Sequence, residues 1–139
     1  MKKKIYLLLM LLIGLVTIGI SQTDSAAKNK NGCLSGNCEN GYGVKVWNNG
    51  ARYEGNFKAG LMDGKGKCYF GTGDSWDGDW KADKMNGKGT YVYHDFSKYV
   101  GEMKDGMRSG YGVSYNIDGT VYFDGQWLNN EKVAKKSGK

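Results

Sequence analysis

The chain predicts an all-β fold, a single-layer antiparallel meander of β-hairpins. Three observations carry this expectation. Gly-x-Gly recurs at positions 41/43, 64/66, 87/89 and 110/112, each step being 23 residues. Tyr53, Trp76, Tyr99 and Tyr122 keep the same step, and Gly55, Gly78 and Gly101 follow the first three two residues on. Within each unit, apolar and polar residues alternate with period two, the mark of a half-buried strand. The chain also contains no proline to interrupt one.

Ahead of the repeats, Lys2, Lys3 and Lys4 precede an uncharged run of 16 residues from Ile5 to Ile20. Charge, an apolar run, then small polar residues is the layout of a secretory signal peptide. A membrane span needs about 20 apolar residues, so a cleaved leader helix is favoured over the alternative of an uncleaved anchor. Cleavage after Ser21 or after Ala27 satisfies the small-residue rule. Residues 1–27 are read as the leader and 28–32 as a linker. No cysteine closes the apolar run, which argues against a lipoprotein. The expected location is therefore outside the cytoplasm of a bacterial-type cell: periplasmic, extracellular or membrane-associated.

The sheet is expected over residues 33–131. Its first unit, 32–52, keeps the glycine frame in GCLSGNCENGYG but sets Cys33 and Cys38 around a turn-like Leu-Ser-Gly-Asn. In an oxidising compartment these two are the natural disulfide pair. The alternatives are three free thiols, or Cys68 taking one of the partners. Closing so short a loop stabilises by on the order of 2 kcal/mol.

The second unit, 53–75, sets the pattern. Tyr53, Gly55 and Phe57 face one way while Glu54, Asn56 and Lys58 face the other. After the turn residues AGLMDG, a strand from Gly64 to Phe70 turns Gly64, Gly66, Cys68 and Phe70 to one side. The third unit, 76–98, repeats this with Trp76, Gly78, Trp80, Gly87 and Gly89. The fourth, 99–121, does so with Tyr99, Gly101, Met103, Gly110 and Gly112. The last, 122–131, is a half copy, YFDGQW, with one extra residue between Tyr122 and Gly125, and Trp127 joins the closing strand. The stretches NNG, TGD and IDG supply the turns between units. Eight or nine strands at about 4.8 Å each give a sheet roughly 40 Å long.

The glycines follow from the rings. A neighbouring glycine without Cβ leaves a trough in which an aromatic side chain can lie. Rings supply buried area that a small domain otherwise lacks. A lone hairpin is marginal in water, whereas stacked units bury a continuous face.

The stretches YEGNFKAGLMDGKGKCYF, WDGDWKADKMNGKGTYVY and YVGEMKDGMRSGYGVSY resemble MORN repeats, units of the form Tyr-x-Gly-x-aromatic, loop, Gly-x-Gly. The resemblance covers about Gly32 to Asn130, with atypical first and last copies as caps. It implies a binding or scaffolding module with a role in protein assembly or at membranes, which the leader would make an exported, bacterial-type one.

Composition narrows the chemistry. From Cys33 to Glu131 there are 11 Lys plus Arg against 13 Asp plus Glu, a net of −2. Nucleic-acid binding is not expected without a basic field. The acidic run Asp74, Asp77, Asp79 and Asp83 lacks the spacing of a calcium loop. It reads instead as a solvated charged face whose cross-strand partners are Lys65, Lys67 and Lys88. Cys33, Cys38, Cys68 and His94 have ligand chemistry for zinc but no tight Cys-x-x-Cys pair. Cys68 with His94 lacks any orienting third group for nucleophilic catalysis. No enzyme activity, metal or cofactor is expected.

Binding is expected of an exposed aromatic face or of the hairpin tips, where Leu61, Met62, Met85 and Met107 recur. These apolar residues either contact an unidentified protein partner or tuck under the sheet edge. Lys132, Lys135, Lys136 and Lys139 in the basic tail, 132–139, are candidates for anionic lipid at about 1 kcal/mol per charge. Peripheral membrane association through that tail or the leader is the alternative function. Exposed edge strands also allow self-association.

Overall fold

The computed structural model describes residues 32–133. Ten strands follow one another in chain order in a single antiparallel sheet. They are β1 (Gly32–Gly36), β2 (Gly41–Val46), β3 (Arg52–Lys58), β4 (Leu61–Tyr69) and β5 (Ser75–Lys81). The remainder are β6 (Lys84–Val92), β7 (Lys98–Lys104), β8 (Met107–Tyr115), β9 (Val121–Leu128) and the short β10 (Glu131–Lys132). The expected leader helix, its cleavage points and the tail lysines Lys135, Lys136 and Lys139 lie outside the described residues. The meander is as expected, with short pairings at both margins bringing the strand count to ten rather than eight or nine.

Strand alternation puts Tyr53, Phe57, Cys68, Trp76, Trp80, Tyr99, Met103 and Trp127 in one buried cluster. Tyr53, Trp76 and Tyr99 are 0% exposed. Rings meet edge to face along this side, Tyr53 with Phe57 at 5.1 Å and with Trp80 at 5.4 Å between centroids. Such contacts add about 0.5–1.5 kcal/mol each beyond the area they bury.

The three full repeats share one local device. The ladder slips just after the central glycine, between Gly55 and Phe57, Gly78 and Trp80, and Gly101 and Met103. The bulge leaves Asn56, Asp79 and Glu102 out of the regular pairing with the following strand, and bulges bend and twist a strand. Each ring then donates to the carbonyl of that bulged residue: Tyr53 Oη to Asn56 at 3.0 Å, Trp76 Nε1 to Asp79 at 3.2 Å, Tyr99 Oη to Glu102 at 2.8 Å. A buried ring thus finds a partner for its polar tip three residues on, and the ring settles over the glycine between.

The two glycines of Gly-x-Gly serve different needs. Gly64 has φ +103°, a backbone conformation that side chains rarely adopt. Gly66 instead lies under the Tyr53 ring, so a Cβ there would meet Cε2 of Tyr53 at 2.5 Å. Gly87 and Gly89 repeat the pair, with the Trp76 ring over Gly89.

Two details correct the expected layout. Strands β4, β6 and β8 begin at Leu61, Lys84 and Met107, because the hairpin turns are only the two residues Ala59-Gly60, Ala82-Asp83 and Asp105-Gly106. Both residues of each turn have positive φ, the type I′ geometry that matches strand twist. In the last unit the extra residue moves the ring position. Phe123, opposite Ser114, stacks edge to face on Trp127 at 5.0 Å, while Tyr122 is 59% exposed.

Candidate functional site

The aromatic side cannot be the open binding face that its composition suggests, because its rings are the core. Met62 and Met85 pack against that cluster, opposite Phe57 and Trp80. Leu61 and Met107, one residue earlier in their strands, are exposed. The four apolar positions at the hairpins therefore divide between core and surface. Arg108 takes the corresponding inner place on β8, its guanidinium 4.1 Å from the Trp127 ring centre.

The opposite face is built around a row of paired glycines: Gly43, Gly55, Gly66, Gly78, Gly89, Gly101, Gly112 and Gly125 stand side by side across β2–β9. Side chains flanking this row point to the outer face in two lines. One runs Val44, Glu54, Lys67, Asp77, Thr90, Val100, Val113, Asp124. The other holds Tyr42, Asn56, Lys65, Asp79, Lys88, Glu102, Tyr111 and Gln126. Between the lines lies a groove of about 500 Å³. Lys65, Asp77, Lys88, Thr90, Val100, Glu102, Tyr111 and Val113 form its walls, and Gly78, Gly89 and Gly101 its floor.

Charge is distributed unevenly along it. Toward β4 and β5 it is neutralised in place, Lys65 to Asp79 at 2.7 Å and Lys67 to Asp77 at 3.7 Å. These are two of the expected cross-strand pairs; exposed pairs of this kind contribute about 0–1 kcal/mol. Lys88 stands opposite Glu102 and takes part in no ion pair among the described residues. Toward β7 and β8 the wall turns uncharged, from Thr90 through Val100 to Val113. Val100 is 40% and Tyr111 50% exposed.

Tyrosines cross the glycine row at each end. Tyr42 Oη donates to Glu54 Oε1 at 2.9 Å, and Tyr111 Oη donates to Asp124. Each hydroxyl is held above the usual tyrosine pKa by the hydrogen bond to its carboxylate. Glu54 is in turn held below the usual carboxylate range by hydrogen bonds from Arg52 and Tyr42.

The other sequence candidates are dispersed. Asp74 accepts from Tyr91 Oη at 2.7 Å and from the His94 amide at 2.8 Å, and Asp83 accepts from the Met62 amide at 2.7 Å. Burial works against the charged form of Asp74, but the bonds from Tyr91 and His94 outweigh it and hold its pKa low. Cys33 and Cys38 are joined in a disulfide, and Cys68 is a free, buried thiol whose pKa burial raises to about 11. So raised, the Cys68 thiol offers little thiolate at neutral pH. Lys132 folds back, its ammonium 4.2 Å from the Tyr122 ring centre.

The repeated rings and glycines dominate the sequence and leave Thr90, Val100, Glu102, Tyr111 and Val113 of the groove unmarked. The signal was present in the outward columns of the same repeat: 54, 77 and 100 read Glu, Asp, Val, and 67, 90 and 113 read Lys, Thr, Val. Both columns lose their charge in the later units.

The MORN-repeat family model matches residues 32–52, 53–75, 76–98 and 99–121. No curated protein matches the chain. MORN repeats are in general protein- or membrane-binding modules, and generally non-catalytic. With four consecutive matches over most of its described residues, and three full units built on the repeated ring and glycines, the chain belongs to the MORN-repeat family.

Proposed function

We propose that this protein is an exported, non-enzymatic scaffold that binds a protein partner on the glycine-row face of its sheet. One observation carries the reading. The aromatic side is consumed by the core, which leaves the groove between β4 and β8 as a concave surface with exposed apolar side chains. Concave sites lined by apolar groups with a few polar ones are where ligands bind. Export is supported by the leader-like amino-terminal sequence and by the closed Cys33–Cys38 bond, since disulfides persist in oxidising compartments.

Site-specific photo-crosslinking tests the face. A photoreactive residue at Val100 is expected to capture a discrete protein partner in intact cells, and one at Leu61 or Met107 is not. Adducts only from the hairpin positions would move the site to the Leu/Met ridge. Adducts to lipid alone would favour the peripheral membrane reading through the lysine tail. Export is checked separately by fusing a reporter enzyme that is active only outside the cytoplasm. An inactive fusion would remove that part of the proposal.

A further inference from the structure

Resting on the reading of the groove as the binding face, we propose that it is stopped at both ends and takes a neutral, extended peptide segment of about six residues, 3.3 Å each. The stops are the two tyrosines. Tyr42 pairs with Asn56 in the ladder yet bonds the carboxylate of Glu54, two positions along, so its side chain spans the row at Gly43 and Gly55. Tyr111 pairs with Gln126 yet bonds Asp124, spanning the row at Gly112 and Gly125. Between these crossings the groove runs from β4 to β8. Four inter-strand steps at about 4.8 Å make roughly 19 Å, the reach of about six extended residues at about 3.3 Å each.

The occupant's chemistry follows from the walls. Lys65 and Lys88 against Asp77 and Glu102 sum to zero, so the lining attracts neither a polyanion nor a polycation. Strand backbone groups are committed to the ladder, and recognition falls to side chains. Ammonium groups donate and carboxylates accept, which suits an occupant that offers both donors and acceptors along its length, as a peptide backbone does. Thr90, Val100 and Val113 form an uncharged strip on one wall that suits apolar side chains projecting from one side of an extended chain.

The test is selection from libraries of random peptides six and twelve residues long against the full chain, followed by affinity measurement on variants. The expected result is a neutral consensus about six residues long in both libraries, with apolar residues at alternate positions. Val100→Glu and Val100→Lys, each confirmed folded by thermal unfolding, should each weaken the selected peptides at least tenfold. Tyr111→Phe, which removes the hydroxyl from its carboxylate, should lengthen the consensus drawn from the twelve-residue library.

Three failures are distinguishable. Selected peptides that bind both Val100 variants as tightly as the parent would overturn the groove itself as the site. Loss of binding in those variants, with a consensus that is charged or runs past the groove while both tyrosines are intact, would leave the face standing and overturn the stopped, neutral groove. Enrichment of no peptide, beside a crosslinked partner at Val100, would mean that the face reads a folded surface and would also overturn it.

Discussion

A methyl group at Gly66 has nowhere to go. It would meet the Tyr53 ring at 2.5 Å, and that ring is fully buried. Gly66→Ala is therefore expected to cost about 3 kcal/mol, the upper end of overpacking penalties. Gly50 is the contrast, with φ +86° and nothing within 4 Å of an added Cβ. There the cost is the backbone conformation alone, about 1–2 kcal/mol. Urea unfolding of both variants separates the causes, and equal losses would mean that the ring does not explain the glycine. Cys68 gives a second prediction at this scale. Its thiol is raised from 9.0 to about 11 by burial. A group whose folded pKa is raised stabilises fully below its unfolded value and loses that contribution as pH rises through the folded one. The parent is thus expected to lose more stability than Cys68→Ala between pH 9 and pH 11, read from urea midpoints across that range. Parallel curves would show that the thiol does not titrate on unfolding. The ring-to-glycine logic behind the first of these predictions is legible in sequence, because ring and glycine recur at fixed spacing. The tyrosine crossings of the groove are not, since Tyr42 and Tyr111 bond diagonally and their partners Glu54 and Asp124 sit 12 and 13 residues away.

Hairpins come next in scale, and their turns are uneven in quality. Type I′ turns want residues that tolerate two successive positive φ values, such as Asn-Gly. Asp105-Gly106 meets that demand, whereas Ala59-Gly60 puts alanine at φ 49°. Ala59→Asn is expected to stabilise the protein by about 0.5–1 kcal/mol, because asparagine visits the left-handed region at lower cost. Ala59 is exposed, and the contact it makes through its backbone amide to Asn40 is retained. The corresponding Asp105→Asn should change little, and thermal melts of the two variants side by side check the contrast. The same turn shows where sequence reading misplaces an element. AGLMDG contains two glycines, and the expectation of a long turn placed the strand start at Gly64. The turn uses Gly60, while Gly64 spends its positive φ inside β4 beside the bulge at Asn56. Glycine marks both turn and bulge, so composition alone does not separate them. The last unit fails for a similar reason. One inserted residue shifts the pleat by one, which exchanges the faces of Tyr122 and Phe123.

Across the whole molecule the sheet is a one-dimensional array, in which each strand pairs only with its neighbours in the chain. Such arrays gain stability unit by unit and fray from their ends. The amino-terminal end has a cap of its own kind. Cys33 stands opposite Lys45 just as Tyr53 stands opposite Cys68, so a half-cystine occupies the ring position of the first hairpin. Cys38 Sγ then lies 2.9 Å from where a Cβ on Gly43 would be, covering that glycine as the Tyr53 ring covers Gly66. The disulfide replaces an aromatic ring at the margin of the sheet, where a ring would have one side open to water. Replacing both cysteines by serine is expected to remove about 2 kcal/mol from the first hairpin, the loop-closure value for so short a span. In a nearest-neighbour array that loss stays local. Amide exchange should quicken in β1 and β2 while β5–β8 keep their protection. A uniform loss of protection through β8 would instead show that the repeats unfold as one cooperative body, with the cysteine cap holding all of it.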